Sequence, residues 1–517
     1  MATTHHETRH RLSWLALALA AQSIAPIALA QTHSVTPTLG ARASVSDNAT
    51  QAADGATKRS ETTLSVSPGL NLAYRSANSR LEGQVQLTSV NYLEGTQADR
   101  VLPTGLVLFR TDLGGQGFGL DASLAAEQVR STFGAVTAGT PNTADSYTNT
   151  RFRISPFLDR PLSEFTRLTA RLERTQVRSS ANDDALASRP NTHTDGASVR
   201  LLRRPTRIGY ALDANYQDDR AGQASTRIYT ERLAKATLLY ALTPEIEVGA
   251  FAGRESSQVF SQRFSDSVKG LQLSWRPGER TQVELMAEDR FYGRGWLAQV
   301  SHRTPFLAFG VNTSRQVDTY TNNVGGTLTS SGGTRGLLDA ILTTRIPDEA
   351  ERRRAVEELM LKRNLPAGLG SSRDLYDLNA QLRQATSARL AFMGRRTITT
   401  LATGFNRAAP VDQASATSIL GPGNRTREQY SDLDVNHRLT PLTVLNGGLR
   451  WSRTRTAGLT LLGSEVRTRE FAVRAGLGLT LSPQSTLTFG MRHQRGQAGN
   501  ANRVIENIVF VGLDHRF

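Results

Sequence analysis

The sequence predicts an all-β protein, a large antiparallel transmembrane β-barrel of about 22 strands (range 18–22) that carries a small helical insertion. Three observations lead to this fold class: an apolar leader that ends at a cleavage site, alternating segments along the rest of the chain, and a last strand that ends on Phe517. Together they describe a chain that is exported and then crosses a membrane with strands.

The leader has the organisation of a secretory signal peptide. A polar start precedes a mostly apolar stretch over residues 12–30, and Ala28-Leu29-Ala30 is an A-x-A cleavage site. Gln22 and Pro26 interrupt the stretch, which argues against a membrane anchor. We therefore predict that residues 1–30 are removed near Ala30 and that residues 31–517 form the barrel. The chain has no cysteine, which excludes disulfides and a lipoprotein anchor.

The segments that follow alternate apolar and polar residues, the pattern of half-buried strands. In residues 281–291, Val283, Leu285, Ala287 and Phe291 face one way, and the polar residues Gln282, Glu284, Glu288 and Arg290 face the other. Because lipid-facing and lumen-facing residues cancel in an average, the same pattern explains the mean hydropathy of −0.36. Short turns rich in Pro, Gly and Arg separate many segments, for example Leu242-Thr243-Pro244-Glu245. Sorting the joins into short turns and long loops gives an even strand number with both termini in the periplasm, and places one strand over residues 373–393.

The last segment predicts both the membrane and the route into it. Val509, Val511 and Leu513 alternate toward Phe517, with His515 as the polar exception. Bacterial outer-membrane barrels end on such a strand, and we expect Phe517 to be part of the signal read by the barrel-assembly machinery. The predicted location is the outer membrane of a Gram-negative bacterium.

One insertion, over residues 320–372, interrupts the series on the extracellular side. Its first part is rich in Gly, Ser and Thr, and its second part, residues 336–365, has a helical pattern with a helix predicted at about 347–363. Asp348 suits the helix start, and an apolar stripe contains Val356, Leu359 and Met360. Because such a stripe needs apolar cover, the insertion is expected to fold as a plug inside the lumen or a lid above it.

The charge is strongly positive. The formal net charge is +15, and all basic residues except Lys58, Lys235, Lys269 and Lys362 are arginines. A GC-rich genome produces such a bias without any function. The functional interpretation is that lumenal arginines, with Arg290 and Arg492 as candidates, attract anionic solutes or polysaccharides. Export from the cytoplasm argues against nucleic acid as a partner.

No motif for chemistry appears. The histidines of the mature chain lack metal-ligand spacing, and the sequence has neither an H-E-x-x-H nor a G-x-S-x-G motif. The glycine-rich residues 114–119 lack the lysine of a phosphate loop and predict a turn. We therefore expect no enzymatic activity, no bound metal and no cofactor.

Several segments in order resemble a known family: Ser67-Pro68-Gly69-Leu70, the turn at residues 274–281, Asp289-Arg290-Phe291-Tyr292-Gly293, Ile346-Pro347-Asp348-Glu349-Ala350-Glu351-Arg352 and Gly394-Arg395-Arg396-Thr397. The chain resembles the outer-membrane β-barrels associated with PEP-CTERM/exosortase systems, which are encoded with exopolysaccharide genes. The resemblance covers essentially the whole mature chain. It implies a barrel and a role around envelope polysaccharide, and it supplies no catalytic residues.

Three functions follow from these expectations. The first is a non-enzymatic conduit or scaffold for exopolysaccharide export or surface assembly. The alternatives are a general or anion-selective porin and a structural surface barrel. The expected partners are outer-membrane lipid and lipopolysaccharide, the barrel-assembly machinery, and, for export, the polysaccharide and periplasmic export components.

Overall fold

The computed structural model describes residues 32–115, 117–130, 146–181, 191–222, 226–319, 321, 334–348, 351–352, 355–356, 359, 379–411, 424–458, 465–498 and 503–517. Within them the chain forms one 22-stranded sheet in which every strand pairs antiparallel with its neighbours in sequence. The first strand also pairs with the last, from Thr38 opposite Arg516 to Ser46 opposite Ile508. This pairing closes the sheet into a barrel and confirms the predicted fold class and strand number.

The strands follow the predicted alternating segments closely. They are β1 (Thr32–Ser46), β2 (Glu61–Arg75), β3 (Ser79–Tyr92), β4 (Arg100–Leu113), β5 (Phe118–Arg130), β6 (Ser146–Pro161), β7 (Thr166–Ala181), β8 (Thr192–Arg203), β9 (Ile208–Ala221), β10 (Thr226–Thr243), β11 (Ile246–Val259), β12 (Gln262–Gly278), β13 (Thr281–Arg290), β14 (Gly293–Arg303), β15 (Leu307–Asp318), β16 (Gln381–Met393), β17 (Thr397–Pro410), β18 (Asn424–Arg438), β19 (Thr443–Gly458), β20 (Glu465–Ser482), β21 (Ser485–Ala498) and β22 (Val504–Arg516).

The two ends of the barrel differ in their connections. At one end, which we call the short-turn end, each join is only a few residues long, such as residues 244–245 and 483–484. The other end, the long-loop end, carries the long joins and the insertion between Asp318 and Gln381. The strand expected from residue 373 is shorter than predicted. It begins at Gln381, after Asn379 and Ala380, which are not in the strand.

The two faces of the wall also differ. The outer face is apolar: Leu238, Leu271 and Val509 are each more than 60% exposed on it. Cross-strand pairing keeps such residues on one side, for example Leu212 opposite Ala236 and Leu238 opposite Ala250. Because successive side chains point to opposite sides, the residues between them face the lumen, and many of these are polar. An apolar outer face around a closed sheet is the arrangement of a transmembrane barrel.

Candidate functional site: a plugged and charged lumen

The insertion enters the lumen and reaches the opposite end of the barrel. It leaves the wall after Asp318 at the long-loop end, yet its helix α1 (Thr334–Leu342) packs near the short-turn end. There it contacts Ala308, the second residue of β15, and Met393, the last residue of β16. Asp318 and Ala308 are ten strand residues apart, a distance of roughly 33 Å along β15. The described part of the insertion therefore lies inside the lumen, in the position of a plug.

An apolar seam holds the plug to the wall. α1 presents Leu337, Leu338, Ile341 and Leu342, whose spacing places them on one helix face. Leu338 and Ile341 are completely buried. The wall contributes lumen-facing residues of three strands, namely Ala308, Ala391, Met393, Ile398 and Ala402. Burying the four helix residues stabilises docking by on the order of 6–12 kcal/mol as an upper bound.

The residues predicted for the helix lie in a second helical stretch beside α1. Glu351, Arg352, Ala355, Val356 and Leu359 are helical, whereas Met360 lies outside the described residues. Asp348 caps this stretch, because its Oδ1 accepts a hydrogen bond from the Glu351 amide at 2.7 Å. Val356 is buried in the seam, and Leu359 packs against it. None of the helices that the structure describes is long and apolar enough to cross a membrane.

Two arginines complete the attachment of the plug. The Arg352 Nε donates to Asp339 Oδ1 of α1 at 2.9 Å, and its Nη1 donates to the carbonyls of Ile346 and Pro347 at 3.0 Å. Arg352 therefore ties α1 to the second helical stretch. The Arg345 guanidinium lies 5.3 Å from the ring centre of Phe306, which belongs to a turn at the short-turn end.

The ends of the insertion contact the wall at other strands. Thr321 Oγ1 donates to Thr192 Oγ1 of β8 at 3.1 Å, across the lumen from β15. Ala380 is fully buried in a cluster with Ile228, Tyr229 and Val259 at the long-loop ends of β10 and β11. The insertion is thus fixed to the wall at both ends of the barrel.

Arg290 faces the lumen as predicted from the alternation, but three carboxylates surround it. Its guanidinium bonds Glu255 through Nε at 2.7 Å and Nη2 at 2.6 Å, Glu231 at 3.1 Å and Glu288 at 3.2 Å. Tyr229 donates a further hydrogen bond to Glu231 at 2.7 Å. The local charge is negative, so the expected role of Arg290 in attracting anions does not fit this environment. It joins β10, β11 and β13 instead.

Arg492 lies in a different electrostatic environment. It faces the lumen on β21 directly opposite Arg474 of β20, and the Arg42 guanidinium of β1 packs on the Phe510 ring at 4.8 Å. Arg474 pairs with Asp434. Glycines occupy neighbouring lumenal positions, Gly448 opposite Arg474 and Gly512 opposite Arg42, and leave these guanidinium groups room. This sector, over β20–β22 and β1, brings Arg42, Arg474 and Arg492 together beside the lumenal carboxylates of Glu506 and Asp514 on β22, and we call it the basic sector.

Phe517 ends the strand that closes the barrel. Its amide donates to the Pro37 carbonyl of β1 at 3.1 Å, and its ring meets the His515 ring edge-on at 4.6 Å. The side chain is 63% exposed on the outside. The described residues contain no group of three His, Cys, Asp or Glu side chains that could hold a metal ion.

The alternation pattern did not reveal several residues of the site. The wall side of the seam consists of Ala308, Ala391 and other small or apolar residues at lumenal positions. Lumenal positions are expected to be polar, so these apolar residues were the signal in the sequence that could have located the seam. The role of Arg345 depends on its contact with Phe306 of the wall, and that of Arg352 depends on its contact with Asp339 of α1.

No protein-family model and no curated protein matches the sequence. Among solved structures, the chain is similar to OccK9 (OpdG) of Pseudomonas aeruginosa, with 10% identity, 93% of this chain and 98% of that chain covered, and a TM-score of 0.34. It is similar to the FrpB iron transporter of Neisseria meningitidis, with 10% identity, coverage of 93% and 82%, and a TM-score of 0.38. It is also similar to OpdK of Pseudomonas aeruginosa, with 9% identity, coverage of 94% and 99%, and a TM-score of 0.36.

Proposed function

We propose that this protein is an outer-membrane channel that its own insertion keeps closed and that passes anionic solutes when the insertion is displaced. The observation that carries the proposal is the seam between α1 and the lumenal face of β15–β17. Barrels of 22 strands are wide enough to need a plug, whereas smaller porin barrels hold an open aqueous channel.

The leader, the closed barrel and its apolar outer face support the outer membrane as the location. Bacterial barrels of this kind have short periplasmic turns and longer extracellular loops. The short-turn end then faces the periplasm, and the insertion enters the lumen from the extracellular side.

The basic sector supports anions as the solutes. Arg474 and Arg492 stand side by side on the lumenal face, where an anion can accept hydrogen bonds from both guanidinium groups. Arg290 lies in an acidic cluster on the other side of the barrel, so the basic path follows β20–β22 and β1.

Exopolysaccharide export is a second candidate, and the length of the plug favours it. An insertion that contacts the wall at both ends of the barrel leaves a wide, continuous lumen once it is withdrawn, which a polymer requires and a small anion does not. The PEP-CTERM/exosortase resemblance points in the same direction.

Planar-bilayer recording of the refolded mature protein tests the channel, with and without residues 334–365. We expect little conductance from the intact protein and a large conductance after the deletion, with a reversal potential in a KCl gradient that indicates chloride preference. Steady large conductance of the intact protein contradicts a closed plug. Silence of both forms, with heat-modifiable migration showing a folded barrel, favours a structural surface protein. Conductance without chloride preference but blocked by an acidic polysaccharide favours export.

A further inference from the structure

Four arginines stand side by side on the outer face of the barrel near the long-loop end. Arg407 of β17 is directly opposite Arg427 of β18, Arg427 is opposite Arg455 of β19, and Arg455 is opposite Arg467 of β20. We call these residues the arginine row. Neighbouring strands are about 4.8 Å apart, so the row extends over roughly 14 Å. A parallel set beside it contains Arg453 opposite Arg469.

The row faces outward, as the alternation of burial shows. Arg407, Arg427 and Arg467 are exposed and Arg455 is half-buried, while the residues between them on each strand, such as Thr426 and Thr456, are buried. Arg425, Arg469 and Arg495 are further exposed arginines on the same face.

Such an arrangement is unfavourable without a counter-charge. Like charges directly opposite each other in a sheet are destabilising, and this row has three such pairs in succession. Arg467 has an interaction of its own, whereas within the described part of the chain Arg407, Arg427 and Arg455 form no ion pair. Elsewhere on the outer face the barrel supplies its own carboxylate: Arg220 and Arg227 both bond Asp218, at 2.6 Å and 3.1 Å.

The row lies just beyond the apolar part of the outer face. Trp451 and Phe471 are directly opposite each other and outward-facing, with Leu449 opposite Val473 below them. Arg455 is four residues further along β19 than Trp451, or roughly 13 Å along the strand. Aromatic residues mark the level where acyl chains end and headgroups begin, so the row stands at the headgroup level.

We propose that the arginine row binds the phosphorylated headgroup of an outer-leaflet lipid, the chemistry of lipopolysaccharide. Arginine matches phosphate oxygens with two hydrogen bonds, and a row of this width can hold more than one phosphate. The apolar surface formed by Trp451, Phe471 and their neighbours receives the acyl chains. The inference rests on the proposed outer-membrane location, and it does not depend on transport through the lumen.

Binding of purified lipopolysaccharide to the detergent-solubilised mature protein tests the proposal. The probes are lipopolysaccharide with intact phosphates, the same lipopolysaccharide after enzymatic dephosphorylation, and inorganic phosphate. We expect the intact lipid to bind tightest, the dephosphorylated lipid to bind at least tenfold more weakly, and inorganic phosphate to compete only at high concentration. Equal binding of the phosphorylated and dephosphorylated lipid overturns the proposal, and so does tight binding of inorganic phosphate alone.

The double variant Arg427→Gln/Arg455→Gln assigns the binding to the row. We expect it to bind the intact lipid at least tenfold more weakly than the wild type, whereas Arg232→Gln/Arg254→Gln, which removes two outward charges on β10 and β11, has little effect. Arg427→Lys/Arg455→Lys keeps the charge and should restore part of the affinity.

A thermal measurement separates binding from a merely structural role. Without lipid, Arg427→Gln/Arg455→Gln should melt at or above the wild-type temperature, because like-charge repulsion is removed. With lipid, only proteins that keep the row should gain stability. A variant that is less stable without lipid, or equal losses of affinity in the row and control variants, contradicts the proposal. Because lipid binding and conductance are read separately, a failure here leaves the channel proposal standing.

Discussion

Truncating the seam should open the barrel, and Leu338→Ala/Ile341→Ala is the sharpest perturbation. Both side chains are completely buried between α1 and the wall. Neither residue belongs to a strand, so the hydrogen-bonded sheet remains intact.

The magnitude explains why two substitutions are needed. Replacing a buried leucine or isoleucine by alanine costs about 2–5 kcal/mol, so the pair weakens docking by about 4–10 kcal/mol if the two effects add. The seam contributes at most about 6–12 kcal/mol to docking. A single substitution therefore leaves the plug docked nearly all the time, while the double variant brings the undocked state within reach of observation.

Single-channel recording measures the outcome. We expect a silent wild type, rare openings in Leu338→Ala and frequent openings in the double variant. The matched control is Leu238→Ala/Leu271→Ala, which removes two exposed leucines from the outer face and should stay silent. Because the chain has no cysteine, a bis-maleimide link between Cys substitutions at Arg345 and Phe306 can tether the opened variant, and the tether should suppress its openings. A folded double variant that stays as silent as the wild type refutes the idea that the seam closes the barrel.

Three further predictions concern residues of the barrel wall and its last strand. Arg290→Met should lower barrel stability by about 3–5 kcal/mol, because three carboxylates lose the cation that they share. Heat-modifiable migration measures the loss, and adding Glu255→Leu should recover part of it. In the protein that lacks residues 334–365, the double variant Arg474→Gln/Arg492→Gln should shift the reversal potential toward cation preference, whereas Arg290→Met should not. An unchanged reversal potential in the double variant argues against a role of the basic sector in anion selectivity. Deleting Phe517 should slow insertion by the assembly machinery in a reconstituted assay while leaving the melting temperature of the folded barrel nearly unchanged, because its side chain is exposed.

The barrel was predictable because its physical rule is local. A strand with lipid on one side and a lumen on the other must alternate, so a segment such as residues 281–290 reveals both its type and its outward residues. Phe291 is the exception, because it lies beyond the strand and packs in the lumenal cluster of Ile228 and Tyr229. Proline and glycine at the short turns then mark where strands end. The even strand number and closure through β1 and β22 follow once every segment has been found.

The site was less predictable because it depends on the register between strands. The sequence shows that Arg290 faces the lumen, but Glu231 and Glu255 lie far from it along the chain and meet it only after β10–β13 pair. The arginine row is also a product of register, because a shift of one residue in one strand turns that strand's arginine into the lumen.

The insertion was intermediate between these two cases. Its helical pattern and its need for apolar cover were visible in the sequence, and Pro347 marks the start of the second helical stretch. The sequence did not show where α1 ends, because residues 343–346, which follow it, contain neither glycine nor proline. The place where the insertion docks depends on lumenal alanines of the wall. An alternation pattern does not reveal them, because alanine is compatible with either face of a strand.

The chemistry of the seam limits what can open it. An anion that enters the basic sector interacts with Arg474 and Arg492, whereas the contacts that dock α1 are apolar and lie on β15–β17. A solute therefore gains no differential binding energy by undocking the plug, and a ligand shifts an equilibrium only by its differential affinity for the two states. The polar contacts between the described part of the insertion and the wall include those of Arg345 with Phe306 and of Thr321 with Thr192, and these do change on undocking. Arg345 lies at the short-turn end, so a molecule that competes for Phe306 from that end acts directly on the docked state. We therefore expect Arg345→Ala to increase openings of Leu338→Ala, and the basic-sector variants to change selectivity without changing how often the channel opens.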